Sequence, residues 1–433
     1  MPPSARDAAC AIVRRLRDAG HVAYLAGGCV RDRLLGLEPK DYDVATDAAP
    51  DRVRELFPNA RFVGEAFGVS LVRHLRHDTE VATFRTESGY HDGRRPSVVQ
   101  YSDARSDAQR RDFTLNALFE DPFPSDESHR IIDYVGGLAD LHARVLRAVG
   151  DPDQRLGEDY LRLLRAVRFA ARFDLSLDPA TQAALRRHAP DLSRITRERI
   201  GGEVRAMLTG ARPHAAVTLL QDLGLDAPAL NEPRDVGPSA LLASLTPDAD
   251  YALRLAAWLL DRQPPRPTST SDPVAGSSWL ASLHPYELNG PLLDAVQRWR
   301  EAINLSNDET QGVLATLRAL ASGAAWPAWG VASRKRWLAL PRAGSARALF
   351  AAGRASRPEF ARLADALDAQ APALEAQGVA PAPFIQGHDL IALGLKPGPA
   401  FKPLLDACYD AQLELRVQNR EAALELAKSL AKG

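Results

Sequence analysis

The chain contains few cysteines and carries almost no net charge. Its 433 residues include three cysteines, Cys10, Cys29 and Cys408, which are odd in number and far apart. This usage predicts neither a disulfide framework nor a zinc site, and it favours a reducing cytoplasm as the location. The formal net charge of −1 excludes binding of nucleic acid through bulk positive charge, so any basic surface must be local.

Long apolar runs are also missing. No stretch of about twenty apolar residues occurs, which predicts no membrane span, and residues 1–20 lack the apolar core of a signal peptide. The sequence instead has valine-rich alternating runs before residue 140 and is rich in Ala, Leu and Arg beyond it. We therefore expect about two to four domains, with an α/β head followed by a long all-helical part.

Residues 24–46, YLAGGCVRDRLLGLEPKDYDVAT, combine a glycine turn, a short helix and two carboxylates. Gly27 and Gly28 allow a sharp turn or a close approach of the backbone to a ligand. A helix that begins after such a turn presents free N–H groups to a phosphate, and Arg31 would add a charged fork. These residues predict a phosphate site.

Asp41 and Asp43 lie two residues apart in a run that alternates like a strand. Residues two apart in a strand face the same way, so the two carboxylates would project together. Adjacent carboxylates repel unless a cation lies between them, and Mg²⁺ binds to one or two carboxylates plus substrate phosphates. For such a pair taken alone, a solvated surface turn is the alternative interpretation.

The pattern GG-x-V-R-D-x-L-L-G followed by D-x-D-x-x-T resembles the signature of the class II nucleotidyltransferase family, which includes bacterial CCA-adding enzymes and poly(A) polymerases. The resemblance implies an α/β plus all-α fold class, with a small mixed-sheet, polymerase-β-like head. It further implies a head at residues 1–140, a helical neck for base recognition at 141–215, a helical body at 216–380 and a tRNA-binding helical tail at 381–433.

The resemblance also assigns the chemistry of the head. It implies that Asp41 and Asp43 hold two Mg²⁺ ions and that Glu80 is a third catalytic acid, at the start of the next strand. Taken alone, Glu80 would be an ordinary solvated strand end. Residues 86–110 form a long polar segment that predicts a functional or disordered loop. A flexible loop in the family helps the switch from C to A addition, and Arg94, Arg95 and Pro96 match its pattern.

The run RRDFTLNAL at residues 110–118 resembles the family motif in which the second arginine contacts the nucleotide. The resemblance implies that Arg110, Arg111, Asp112 and Asn116 bind the nucleotide. The alternative interpretation of two arginines beside an aspartate is a surface ion pair.

Residues 147–173 predict a helix with one apolar and one basic face. Glu158 lies one turn before Arg162 and would hold its guanidinium. Arg162 beside Asp159 offers a donor next to an acceptor, which matches the base edges of cytosine and adenine but not of uracil or guanine. The alternative is a solvated basic face. Similarity to the family motif ED-x-x-R implies that these three residues replace a nucleic-acid template and that Arg165 and Arg168 join nucleotide binding.

The remaining sequence carries weaker signals. Thr196 is a candidate helix cap, and Glu198 and Arg199 are interpreted as structural. Residues 261–278 predict an exposed linker or a mobile loop. No His-Asp pair follows the apolar run at 249–261, so we expect no metal phosphohydrolase activity there. Residues 385–399 resemble a tail segment that holds the tRNA elbow in CCA-adding enzymes, with Asp389 as a helix cap and Lys396 as a phosphate contact.

These motifs together predict a cytoplasmic nucleotidyltransferase that adds CMP and AMP, from CTP and ATP, to the 3′ end of tRNA without a template. No membrane or protein partner is expected. Three alternatives remain open: a poly(A) polymerase, an enzyme that adds only CC or only A, and a catalytically inactive RNA-binding protein of the same fold.

Overall fold

A computed structural model describes residues 3–62, 68–90, 96–234, 237–262 and 291–431. The chain divides into two compact units, one of Met1–Val236 with Ala302–Asn304 and one of Gly237–Glu301 with Leu305–Gly433. The first unit includes the predicted head and neck, and also residues 216–236 of the predicted body. The finer boundaries at residues 140, 215 and 380 stay predictions. In the described ranges, no helix has both the length and the apolar character needed to cross a bilayer.

A mixed β-sheet forms the centre of the first unit. The strands of this unit, inside and outside that sheet, are β1 (Ala23–Ala26), β2 (Asp43–Thr46), β3 (Arg61–Phe62), β4 (Val69–His74), β5 (His77–Thr83), β6 (Arg85–Tyr90), β7 (Pro96–Tyr101), β8 (Phe119–Glu120), β9 (Ile131–Ile132), β10 (Val145–Leu146) and β11 (Ser176–Leu177). Seven of them form one sheet in the order β3-β4-β5-β2-β1-β8-β9. Strands β2 and β5 run parallel, and the other neighbours are antiparallel.

Helices surround this sheet and then continue beyond it. They are α1 (Ala5–Asp18), α2 (Gly28–Leu34), α3 (Pro50–Leu56), α4 (Ala104–Gln109), α5 (Gly137–Ala143), α6 (Pro152–Glu158), α7 (Leu161–Phe173), α8 (Pro179–His188), α9 (Arg197–Leu208), α10 (Pro213–Asp222) and α11 (Asp226–Leu230). Helix α1 begins at a capping box formed by Ser4 and Asp7. Its apolar face, which includes Ile12, shares one core with Val44 of β2 and Val81 of β5. Because strand side chains alternate, residues 43 and 80 face the opposite side of the sheet.

Two predicted strand positions differ from the structure. Strand β2 begins at Asp43, so Asp41 lies in the preceding loop. The pairing of β1 with β2 ends at Ala26 and Asp43, because the chain turns at Gly27, where φ is +70°. Glu80 lies in the middle of β5 and not at its start, because the tight turn after β4 lets β5 begin at His77.

The prediction of a loop at residues 86–110 is wrong for the part of this segment that the structure describes. Strands β6 and β7 form an antiparallel hairpin, and α4 follows. The hairpin is a separate two-stranded sheet, so its strands show no alternation of apolar and polar residues. The family match at Arg94 and Arg95 lies outside the described residues.

The basic stretch near residue 160 contains two helices instead of one. Helix α6 ends at Glu158, and Asp159 has an extended backbone with φ −147° and ψ 105° before α7 begins. Helix α2 begins at Gly28, two residues earlier than the apolar pattern indicates. Thr196 occupies the N-cap of α9, but its side chain makes no capping hydrogen bond.

Helices are the regular secondary structure of the second unit in its described residues. Its helices are α12 (Ala240–Ser244), α13 (Tyr251–Asp261), α14 (Pro291–Ala302), α15 (Asn307–Gly323), α16 (Val331–Leu338), α17 (Ala343–Ala352), α18 (Pro358–Ala376), α19 (Gly387–Ala392), α20 (Phe401–Leu413) and α21 (Arg420–Leu430). Asp389 completes a capping box with Gln386, as predicted for a helix cap, and Oδ1 of its carboxylate also accepts from Arg420 at 2.5 Å. The linker predicted at 261–278 lies outside the described residues from 263 onward.

Candidate active site

One cavity of about 750 Å³ in the first unit brings together the residues that the motifs predict. All predicted site residues except Glu158 line it, and the members are Gly27, Gly28, Arg31, Asp41, Asp43, Glu80, Arg110, Arg111, Asp112, Asn116, Asp159, Arg162, Arg165 and Arg168. The volume lies within the range of about 300–1,000 Å³ that is usual for small-molecule sites. Motifs more than one hundred residues apart therefore converge on one space.

The glycine turn forms part of the cavity wall. Gly27 has φ +70° and ψ −121°, and a Cβ atom there would lie 2.7 Å from Nη1 of Arg111. Glycine is therefore required both by the backbone conformation and by the close approach of the arginine. Gly28 is the first residue of α2, whose N-terminal N–H groups have no side-chain cap. The small side chains of Ala26 and Ala45 leave space on the sheet surface.

Arg31 differs from the free charged fork that the sequence predicts. Its guanidinium is buried and donates through Nε to Oδ1 of Asp32 at 2.8 Å and through Nη1 to Oδ1 of Asn116. The group also lies 4.4 Å from the ring centre of Phe173. Arg31 thus lines the cavity with most of its donors already engaged.

Asp43 and Glu80 lie side by side on the parallel strands β2 and β5. The register pairs Val44 with Val81, so the two acids, one residue earlier on each strand, occupy adjacent positions on the same face. Asp41 reaches the same cavity from the loop before β2. Burial, followed by repulsion from Glu80, raises the pKa of Asp43 to about 6, while Arg111 opposes this shift.

This acidic group fits Mg²⁺ in its chemistry. Carboxylate oxygens are the hard ligands that Mg²⁺ prefers, and burial together with repulsion from Glu80 raises the pKa of Asp43, an effect that a bound cation would oppose. Within the described part of the chain, no three His, Cys, Asp or Glu side chains are arranged to hold a metal by themselves. A Mg²⁺ ion at Asp41 and Asp43 would therefore need further oxygen ligands, and Mg²⁺ usually obtains these from water and substrate phosphates.

Asp107 holds both arginines of the second motif. Its Oδ1 accepts from Nε and Nη2 of Arg110 at 2.9 and 2.6 Å, and its Oδ2 accepts from Nε and Nη2 of Arg111 at 3.2 and 3.0 Å. Burial alone would raise the pKa of Asp107, but the two arginines outweigh it and lower that pKa. Glu87 of β6 adds a second acceptor for Arg110 at 3.1 Å. Both guanidinium groups are therefore oriented before any ligand binds.

Asp112 connects the second motif to α7. Its Oδ2 accepts from Nε and Nη2 of Arg165 at 2.8 and 2.6 Å, and its Oδ1 accepts from Nδ2 of Asn116 at 3.0 Å. Burial would raise the pKa of Asp112, but Arg165 and Asn116 outweigh burial and hold the pKa well below its usual range. The carboxylate is therefore ionised and fully engaged inside the protein.

The predicted base reader lies at the junction of α6 and α7. Asp159 accepts from the backbone N–H of Leu161 at 3.0 Å through Oδ1 and from Nη2 of Arg199 at 2.7 Å through Oδ2. Arg162 donates through Nη1 to Oε2 of Glu158 at 2.6 Å. Glu158 does not line the cavity, and it orients Arg162 from behind. Neighbouring residues therefore hold the side chains of both Asp159 and Arg162.

Sequence reasoning missed several residues that line the cavity. The sequence favours a structural role for Arg199, yet this residue borders the cavity and donates to Asp159. Its Nη1 is buried without a hydrogen-bond partner in the described structure. Arg172 and Phe169 also line the cavity. The spacing of four residues between Arg168 and Arg172 was the available signal, because such residues share one helix face. Nothing in the sequence indicated that Arg199, on another helix, would reach the same space.

Comparison with known proteins identifies the family. Residues 23–147 match the family model described as the Poly A polymerase head domain, and residues 174–233 match the probable RNA and SrmB-binding site of polymerase A. The CCA-adding enzyme of Geobacillus thermodenitrificans (strain NG80-2) is 35% identical over 325 residues, which are 73% of this chain and 72% of that protein. The chain belongs to the CCA-adding enzyme family.

Other members of the CCA-adding enzyme family match a smaller share of this chain. The enzyme of Limosilactobacillus reuteri (strain DSM 20016) is 41% identical over 218 residues, which are 50% of this chain. The chain spans about half the length of that relative, 52%.

Solved structures confirm the predicted fold class. A crystal structure of the Bacillus stearothermophilus CCA-adding enzyme in complex with CTP has a TM-score of 0.70 and 28% identity, and the match covers 99% of this chain and 98% of that one. The Thermotoga maritima CCA-adding enzyme, solved with tRNA, shares the fold with a TM-score of 0.63 at 16% identity, covering 98% of this chain and 94% of that one.

Proposed function

We propose that the protein adds CMP and AMP to the 3′ end of tRNA, with CTP and ATP as substrates and pyrophosphate as the leaving group. The observation that supports this most is the single cavity that contains an acidic group, a set of oriented arginines and the Asp159–Arg162 pair. The 35% identity with a CCA-adding enzyme over most of both chains supports the same conclusion. We also propose the division into head, neck, body and tail at residues 140, 215 and 380.

The acidic group would bind the metal. Asp41 and Asp43 would hold two Mg²⁺ ions, with Glu80 beside them on β5. Bound there, the ions would lower the pKa of the primer hydroxyl and neutralise charge on the triphosphate. The carboxylates would thereby fix where the hydroxyl and the α-phosphate meet, so the contribution of the chain is largely positioning.

The triphosphate would lie against the arginines. Arg111 is held by Asp107 at the edge of the glycine turn, where it faces the N-terminus of α2. A phosphate placed between them would gain a charged fork and free backbone N–H groups. Because Asp107 already orients Arg110 and Arg111, little side-chain entropy would be lost on binding.

The base would be selected by Asp159 and Arg162. Cytosine and adenine each offer an acceptor beside a donor, and these match the guanidinium donor and the carboxylate acceptor. Uracil and guanine would leave buried polar groups unpaired, and sites that rely on such pairing can discriminate by a factor of about 10⁴. The neighbours Glu158 and Arg199 hold the pair in place, so selection rests on a rigid arrangement.

Nucleotide incorporation on truncated tRNA tests the proposal. Purified protein is given tRNA that lacks its 3′ CCA, with CTP alone, ATP alone or both, and the products are resolved at single-nucleotide resolution. We expect two additions with CTP and a third only when ATP is also present, followed by a stop. Long A tracts on unrelated RNA would identify a poly(A) polymerase, and an arrest after CC with both nucleotides would identify a CC-adding enzyme. Addition of A alone to a CC end would identify an A-adding enzyme.

A further inference from the structure

A second cavity adjoins the active-site cavity in the first unit. Its volume is about 450 Å³, and α7, α9 and the connection to α10 line it. Small side chains make the space, among them Ala171, Ala206 and Ala216. Arg168 and Arg172 line both cavities, so the two spaces share a wall. None of the sequence motifs assigns a role to this second cavity.

The charged side chains that line the second cavity are all positive. Its charged members are Lys40, Arg168, Arg172 and Arg212, and no acidic side chain is among the lining residues. Acids outside the lining pair with the three arginines: Glu203 with Arg168 at 2.6 Å, Asp32 with Arg172 at 3.3 Å, and Asp174 with Arg212. Lys40 makes no hydrogen bond or ion pair with any residue that the structure describes. The cavity therefore keeps an uncompensated positive charge and favours an anion.

One further feature points the same way. The pair of Arg212 with Asp174 is half-exposed, with side-chain exposures of 46% and 66%, so Arg212 is free to exchange this partner for a ligand at little cost.

The position of the second cavity relative to the acidic group indicates which anion it would bind. Lys40 directly precedes Asp41, which lines the active-site cavity where the primer hydroxyl would react. An RNA chain whose 3′ end occupies that point must place its next backbone phosphates within one or two nucleotides of it. The second cavity shares a wall with the active-site cavity, and its charged lining residues are all positive.

We infer that the second cavity is a phosphate-binding subsite that holds a backbone phosphate of the RNA primer while its 3′ end is in the active site. This inference rests on the proposed function for the identity of the RNA. Released pyrophosphate has the same chemistry and is the other source of a phosphate at this position. The experiment therefore measures both.

The test uses the full-length protein with Lys40→Met, Arg212→Met and the double variant. Arg187→Met is the matched control, because Arg187 forms a comparably exposed pair with Asp153, at 56% and 47%, and lines neither cavity. Binding of tRNA that lacks its 3′ CCA is measured by fluorescence anisotropy at several salt concentrations, without nucleotide. Thermal unfolding checks each variant, and Lys40→Arg tests whether the charge alone suffices.

We expect Lys40→Met and Arg212→Met each to weaken RNA binding by about threefold to tenfold and to reduce the slope of log affinity against log salt by about 0.7. Lys40→Arg and Arg187→Met should keep the wild-type slope. The KM for CTP and the inhibition constant for pyrophosphate should stay within about twofold of wild type. Slopes and affinities of Lys40→Met and Arg212→Met equal to those of Arg187→Met would overturn the subsite.

Weakened inhibition by pyrophosphate with unchanged RNA binding would also overturn it, and would assign the cavity to the product. The binding measurement needs no catalysis, so a result that refutes the subsite can be distinguished from a result that refutes the proposed function. Wild-type protein that binds tRNA but adds other nucleotides would refute the function alone.

Discussion

Replacing Gly27 by alanine tests how the glycine turn and Arg111 are arranged. The new Cβ would lie 2.7 Å from Nη1 of Arg111 and 3.5 Å from the carbonyl oxygen of Asn116. Arg111 has little room to move, because Asp107 binds its other nitrogens and the Asn116 carbonyl accepts from Nη1 at 2.9 Å. The substitution must therefore strain the backbone and displace the guanidinium.

The two effects can be given rough sizes. A non-glycine residue at φ +70° and ψ −121° is in a sparsely populated backbone region, which costs about 1–3 kcal/mol. Breaking a hydrogen bond of a charged group costs a further ~1–3 kcal/mol. We expect Gly27→Ala to lower the free energy of unfolding by about 2–6 kcal/mol, and to raise the KM for CTP and ATP by at least about tenfold.

Gly36→Ala is the matched control. Gly36 also has a positive φ, +72°, but a Cβ atom there would meet nothing within 4 Å. We expect it to cost about 1–2 kcal/mol of stability and to leave nucleotide binding unchanged. Urea unfolding and steady-state kinetics measure both quantities. In an Arg111→Ala background the collision is absent, so the additional stability cost of Gly27→Ala should shrink to the backbone contribution.

Equal stability and equal KM of Gly27→Ala and Gly36→Ala would refute the arrangement described for Arg111. An undiminished cost of Gly27→Ala in the Arg111→Ala background would show that the collision is with another group.

Four further predictions concern the cavity. Replacing Asp41 and Asp43 together by alanine should abolish nucleotide transfer while tRNA binding, measured by filter retention, stays; surviving transfer would show that the metal ligands are wrongly assigned. Arg162→Ala should reduce the ratio of kcat/KM for CTP to that for UTP more than it weakens triphosphate affinity, and an unchanged ratio would contradict base reading by this residue. The pKa of Asp43 is raised from 3.8 to about 6 by folding, so its protonated form stabilises the metal-free protein at low pH, and this contribution disappears as pH rises through about 6. Added Mg²⁺ should therefore raise the melting temperature above that pH and have little effect near 3.8, and a shift that is independent of pH would count against this site. Asp112→Asn should lower the free energy of unfolding by about 1–3 kcal/mol in urea, because Arg165 loses its charged acceptor, and a neutral outcome would show that solvent replaces it.

Local patterns were sufficient to predict most of the cavity wall. Alternation in β2 predicted that Asp41 and Asp43 share one side, and both line the cavity although Asp41 precedes the strand. The basic face of α7 was equally visible, because helical periodicity places Arg162, Arg165 and Arg168 together. The family resemblance then assigned these local features to one site.

Contacts between distant segments were not predictable in this way. Asp107 organises two arginines only because residues 104–109 form a helix, and the polar composition of that segment indicated a loop. The interruption of the helix at Asp159 could not be predicted, because the helical spacing of apolar residues continues on both sides of a short interruption. Arg199 reaches Asp159 from another helix, and a single sequence does not show which helices pack together.

Asp112 has a consequence for how the protein acquires its cavity during folding. One oxygen of its carboxylate is bonded within the turn of the second motif, and the other is bonded to Arg165, which lies 53 residues further along the chain. Such a contact costs the entropy of closing a loop, which the contacts within the second motif do not. A fragment that ends before α7 could build the sheet and still lack an assembled nucleotide cavity.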